Sequence, residues 1–165
     1  MRLATLVLIQ SSDHKRVLLA YKRISQRGNG FLGTPAGRIV CEDKGSTKKC
    51  AKRIVKEEWG VSVPLNSLEH VAVLNCFGKR TAVTQLCVYV TDHYEGELRE
   101  TEFYENPKWY DVDNLPFSEM REDVRSWLMT ALKRKKFYAD IHFRESDKSF
   151  DFMEFKIFSV VRAVS

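Results

Sequence analysis

Two adjacent carboxylates, Glu57 and Glu58, stand in the stretch KRIVKEEWGV, residues 52–61, just before Gly60. The stretch reads as the end of a helix, where the negative pole of the macrodipole lies, so acids placed there call for compensation. With ~100° between successive residues, Arg53 at zero puts Glu57 near ~40°, Ile54 near ~100° and Glu58 near ~140°. The aliphatic Ile54 therefore sits angularly between the two carboxylates, one turn behind them. Two carboxylates converging from one helix offer a hard-oxygen site for Mg²⁺ or Mn²⁺, with phosphate oxygens completing the shell. The plainer reading is an acidic pair on a solvated surface, balanced by Lys52, Arg53 and Lys56.

Those side chains need a scaffold, and the pattern of the chain supplies one. Residues 46–59 are predicted helical, with Ser46 or Thr47 as N-cap and Gly60 as the stop. LATLVLI (3–9) and RVLLAYKR (16–23) read as strands, joined as a hairpin or lying as near neighbours. SQRGNGFLGTPAG (25–37) is a glycine-punctuated loop. LEHVAVLNCF (68–77) and AVTQLCVYVTD (82–92) are strands on either side of GKRT, and KWYDV (108–112) is a short one. Residues 122–134 form a second helix, with Val124, Trp127, Leu128, Ala131 and Leu132 on one apolar face. FYADIHF and KSFDFMEFKIF close the chain as alternating strands. The fold class is α/β: a mixed sheet flanked by two helices, in a single domain over residues 1–165.

Composition narrows the setting. With 165 residues, 44% hydrophobic and 30% charged, the chain suits one ordinary globular domain. No apolar run approaches the ~20 residues of a membrane span, and the N-terminus lacks a signal-peptide cleavage site. Cys41, Cys50, Cys76 and Cys87 follow neither metal-site nor disulfide-framework spacing, which points to reduced thiols in an intracellular, cytoplasmic setting. The formal charge of +5 suits an anionic ligand such as a nucleotide. RNA binding would rest on that charge alone, and the KRKK run at 133–136 reads more simply as cations at a helix C-terminus.

Upstream of the glutamates lies TPAGR (34–38), with Gly37. Taken with Arg53–Val61, it resembles the box of the Nudix (MutT-like) superfamily, G-x5-E-x7-R-E-U-x-E-E-x-G-U, where U is a bulky aliphatic. RVLLAYKR, WYDVDNLPFSEM and LKRKKFYADIHF are similar to the matching parts of the family's eukaryotic branch that acts on oxidised purine nucleoside triphosphates. The resemblance implies an α/β/α sandwich and Mg²⁺-dependent (or Mn²⁺-dependent) release of monophosphate and pyrophosphate. By the same resemblance, Arg53, Glu57 and Glu58 are the catalytic candidates, and Gly37, Asp43, Glu57 and Glu58 surround the metal. Thr5, Lys22, Phe31, Phe77, Arg121 and Asp123 are the expected substrate contacts. Phe31 and Phe77 are the candidates for a nucleobase slot, while Trp109 and Phe117 read as core.

The chain departs from the pattern where the chemistry is densest. Ile54 stands where the family carries a central glutamate, Asp43 stands for another, and two extra residues separate Gly37 from Arg53. Glu42, Asp43, Glu102 or Glu105 are the acids that could compensate. Tyr104 takes the register position where relatives place a further carboxylate. In the base pocket, Arg121 replaces a tryptophan and Val124 the second of two aspartates, leaving Asp123 alone. Gly33 stands where relatives often carry asparagine. Two functions follow: a nucleotide hydrolase with a weakened or rebuilt site, or an inactive Nudix-like domain that binds nucleotide or a protein or RNA partner.

Overall fold

Strand β1 (Arg2–Ile9) is buried on both faces toward its end, and the two faces feed two different cores. Leu8 packs into one, while Val7 and Ile9 pack into the other, as a strand period of two requires. The computed structural model describes residues 1–23, 30–78, 83–145 and 150–160. After β1 come β2 (Arg16–Lys22), β3 (Leu32–Gly33), β4 (Ala36–Arg38), helix α1 (Thr47–Trp59), β5 (Glu69–Phe77) and β6 (Thr84–Thr91). Then follow β7 (Tyr104–Asp111), helix α2 (Val124–Leu132), β8 (Phe137–Glu145) and β9 (Phe150–Val160).

The larger sheet runs β4-β1-β6-β5-β8-β9, and a smaller one runs β3-β2-β7. β1 lies parallel to β6 and antiparallel to β4, with Thr5 opposite Gly37. α1 buries Cys50, Ala51, Ile54, Val55 and Trp59 against the face that carries Val7, Ile9, Cys87 and Tyr89. α2 buries Trp127, Leu128, Ala131 and Leu132 against the opposite face, with Leu8, Leu74 and Val88. The α/β/α sandwich expected from the sequence is the architecture found. No helix among the described residues is long and apolar enough to cross a membrane.

Several local expectations need correction. β1 and β2 are near neighbours rather than partners in one sheet: β2 leaves for the smaller sheet, and the two meet through the bridge Gln10–Val17 and the Ser11 amide on the Arg16 carbonyl at 2.9 Å. β2 is buried on both sides, with Leu18 and Ala20 in one core and Val17 and Leu19 in the other. The glycine-rich loop contains two short strands, β3 and β4, while its residues 25–29 lie outside the described residues, as do residues 79–81 of GKRT. β7 starts four residues before the expected KWYDV strand, at Tyr104. The second helix is shorter than expected, ending where Arg134 turns left-handed at φ 56°. Arg134 is not a merely solvated cation, since it donates to Glu69 at 3.1 Å and to Gln10 at 3.2 Å. It ties the end of α2 to β5 and β1.

Helix α1 starts where the sequence places it. Ser46 Oγ accepts the Lys49 amide at 3.2 Å, and Gly60 closes the helix at φ 74°. Ser46→Ala is expected to cost about 1 kcal/mol through loss of this cap, measured as a lower denaturation midpoint with an unchanged slope.

Candidate active site

The site begins with Arg53, in the penultimate turn of α1. Its Nε donates to Asp43 Oδ1 and its Nη2 to Asp43 Oδ2, both at 2.9 Å, a two-pronged pairing. Nη2 also reaches the Arg38 carbonyl, and Nη1 reaches Glu57 Oε2, again at 2.9 Å. One guanidinium thus joins β4, the loop after it and the helix. Asp43 is buried at 2% exposure and also accepts the Val40 amide at 3.0 Å. The Arg53 guanidinium holds the Asp43 carboxyl below the usual carboxylate range, against the opposing effect of burial. Despite the two extra residues, the loop delivers Asp43 to Arg53. Asp43, expected to face a metal, instead commits both oxygens to protein partners.

Ile54 is 2% exposed and lies under Gly37. A Cβ built on Gly37 would come within 2.9 Å of Ile54 Cγ2, so the glycine lets β4 settle on this side chain. Glu57 is exposed and bound to Arg53. Glu58 is half-buried, takes the Ala36 amide and keeps Oε2 buried without a hydrogen-bond partner. Burial pushes its carboxyl up, while the charge of Lys22 pulls it back. Lys22 is brought close because its backbone pairs with Tyr104 across β2 and β7.

Among the described residues, no group of three or more His, Cys, Asp or Glu gathers to hold a metal ion. Asp43 and Glu57 are engaged by Arg53, hydrocarbon fills the position of Ile54, and of these carboxylates Glu58 keeps a buried oxygen without a partner. The residues present do not fit the glutamate cluster that the sequence pattern implies. Of the acids that could compensate, Glu42, Glu102 and Glu105 are exposed, and Glu105 pairs with Arg23 at 3.5 Å.

The expected substrate contacts fall into separate places. Arg121 and Asp123 lie together, with Arg121 Nε on Asp123 Oδ1 at 3.3 Å and Trp127 Nε1 on Oδ2 at 3.1 Å. The Arg121 guanidinium sits 5.3 Å over the Phe143 ring. Thr5 is fully buried beneath α1, its hydroxyl donating to the Thr47 carbonyl at 3.3 Å. Phe77 stacks on His142 at 4.7 Å, and strand alternation turns it away from its neighbour Cys76. Phe31 is half exposed and lines an open cleft of about 510 Å³ with Tyr21, Glu105 and Glu119.

Cys76, on β5, lies near Asp123 and was not singled out from the sequence. Its thiol is pushed up to about 11, by burial first and then by the charge of Asp123. The alternation of β5 carried that signal, because Cys76 shares the α2-side face with Leu74.

The sequence profile of the NUDIX domain matches residues 1–131, and the chain belongs to this family. It is 31% identical over 150 residues to the mouse oxidised purine nucleoside triphosphate hydrolase, covering 88% of this chain and 89% of that one. The zebrafish (Danio rerio) protein of the same name is 30% identical, with the same coverage of both chains. The fold is similar to that of a MutT protein from Bacillus halodurans, with a TM-score of 0.73, 19% identity and coverage of 95% of this chain and 97% of that one. It is also similar to the NUDIX domain of Shewanella oneidensis NrtR, solved with ADP ribose, with a TM-score of 0.60, 17% identity and coverage of 81% and 88%.

Two outcomes test this geometry. Asp43→Asn is expected to cost about 2 kcal/mol at neutral pH, the scale of hydrogen bonds to a charged group. Because the folded-state pKa of Asp43 is lowered, its contribution is complete above ~3.9 and disappears as pH falls through the lower folded value. Parent and variant should therefore converge in acid, as read by denaturation at stepped pH. Gly37→Ala is expected to destabilise by about 1–3 kcal/mol through overpacking. That penalty should shrink in an Ile54→Ala background, a coupling measurable by a double-mutant cycle.

Proposed function

We propose that this chain binds purine nucleoside triphosphates, oxidised ones among them, and hydrolyses them to monophosphate and pyrophosphate with a strongly attenuated rate. The single observation that carries the attenuation is Ile54, 2% exposed and packed under Gly37. An isoleucine neither accepts a proton nor ligates a cation. A positioned acid–base group is worth about 10²–10⁴ in rate, and a deficit of that order is the expected consequence. The ligand class is supported by the likeness to the two oxidised purine nucleoside triphosphate hydrolases over nearly the whole chain.

In this reading Lys22 draws the phosphates toward the end of β2. Asp123 accepts hydrogen bonds from the base edge, and Arg121 donates to it or stacks on it. Arg53 acts on the loop rather than the substrate, keeping β4 seated on the helix. Mg²⁺ arrives as the counter-ion of the nucleotide. The four free thiols suit an intracellular compartment.

The test is a panel of normal and oxidised nucleoside triphosphates with Mg²⁺, read both as thermal protection and as pyrophosphate release. Purine nucleotides are expected to raise the melting temperature, with slow turnover in the parent and at least tenfold faster turnover in Ile54→Glu. Absence of protection by every nucleotide would sink the reading. Turnover in the parent equal to that of Ile54→Glu would remove the role given to Ile54.

A further inference from the structure

The surroundings of Glu58 hold more than the loss of one glutamate at position 54. Tyr104 opens β7, is 3% exposed, and stands edge-on to Trp59 with ring centres 5.9 Å apart. Its hydroxyl donates to the Thr34 carbonyl at 2.8 Å, and burial first, then the charge of the neighbouring Glu58, raises the phenol pKa. Thr101, three residues before Tyr104, donates its hydroxyl to the Glu58 carbonyl at 2.6 Å, fixing β7's entry to the end of α1. Ile54 seals the side toward Gly37, and Tyr104 fills the side toward β7.

The polar groups turned to the Glu58 carboxyl are the Ala36 amide, the Tyr104 hydroxyl and the Lys22 ammonium. The amide donates to the carboxyl and the lysine brings a charge, while the single Tyr104 proton goes to Thr34 and Glu58 Oε2 keeps no hydrogen-bond partner. A divalent hard cation needs about six oxygen acceptors around it. One carboxylate with an amide donor and a lysine beside it, its neighbours Asp43 and Glu57 held by Arg53, does not supply that shell.

We infer that the box of this chain holds no resident divalent cation, that Ile54 and Tyr104 together fill the space for one, and that Lys22 supplies the positive charge facing Glu58. The inference rests on the proposed nucleotide site and names what neutralises its inward carboxylate. Lys22 is exposed and held by backbone pairing opposite Tyr104, so its ammonium can move between Glu58 and a bound phosphate.

The experiment uses Mn²⁺ alone as the probe, with binding followed by electron paramagnetic resonance on the full chain without nucleotide. The parent and Glu58→Gln are expected to bind Mn²⁺ equally, within twofold. The double variant Ile54→Glu with Tyr104→Glu is expected to gain at least tenfold in Mn²⁺ affinity, and to lose the gain when Glu58→Gln is added. One Mn²⁺ per parent chain, weakened tenfold or more by Glu58→Gln, would overturn the inference. The comparison of parent with Glu58→Gln decides the matter even where the double variant does not fold. A second measurement addresses Lys22: nucleotide protection of the parent should survive EDTA, and Lys22→Met should weaken it at least tenfold with or without Mg²⁺. Protection abolished by EDTA in the parent would equally overturn the inference. Failure of nucleotide binding under all conditions would instead refute the function on which it rests, while leaving the Mn²⁺ result standing.

Discussion

The guanidinium of Arg53 is the constraint on which the site depends. It holds Asp43 by both oxygens, the Arg38 carbonyl from β4, and Glu57 one turn further along its own helix. Three segments that could otherwise move independently share one rigid fork. An isolated surface pair contributes little, but a carboxylate buried as deeply as Asp43 needs its partner, because burial without one is costly. The seat of Gly37 on Ile54 and the inward direction of Glu58 both follow from holding β4 and α1 at this separation.

Within that frame, an isoleucine at position 54 is stabilising chemistry beside the carboxylates of α1. Clustered carboxylates repel one another, and buried ones lose hydration. An isoleucine in the same turn joins Val7, Val55 and Trp59 in a continuous apolar core. Tyr104 extends that core on the neighbouring strand, where a phenol packs on Trp59. The family fold is kept, and beneath α1 its inner surface is an ordinary apolar protein interior.

The large features were legible in the sequence because they rest on local rules. The helix that carries Arg53, Glu57 and Glu58 announces itself by a serine cap, a buried stripe and a glycine stop, and those signals are local. The second helix was legible for the same reason, from its apolar face. Long-range partners were less so. Nothing local in Asp43 reveals that a loop with two extra residues still delivers it to Arg53. The burial of Thr5 beneath α1 and the stacking of Phe77 on His142 were not legible either, because strand parity is meaningful only once the partner strands are known. Lys22 and Tyr104 are far apart in sequence, and only the pairing of β2 with β7 makes them neighbours. The separation of β1 from β2 into two sheets was illegible too, since a short polar connection usually marks a hairpin.

The parallel pairing of β1 with β6 has a consequence for how the chain reaches this state. Arg2 stands opposite Thr84, and the register runs unbroken to Ile9 opposite Thr91. During synthesis the first strand therefore emerges long before the strand beside which it must lie. Helix α1, complete much earlier, has an apolar flank and an incomplete sheet to cover. Pairings of such sequence separation close slowly, and exposed apolar strands invite association in the interval. Strand β1 is thus made long before its partner β6 and is among the last to find its place.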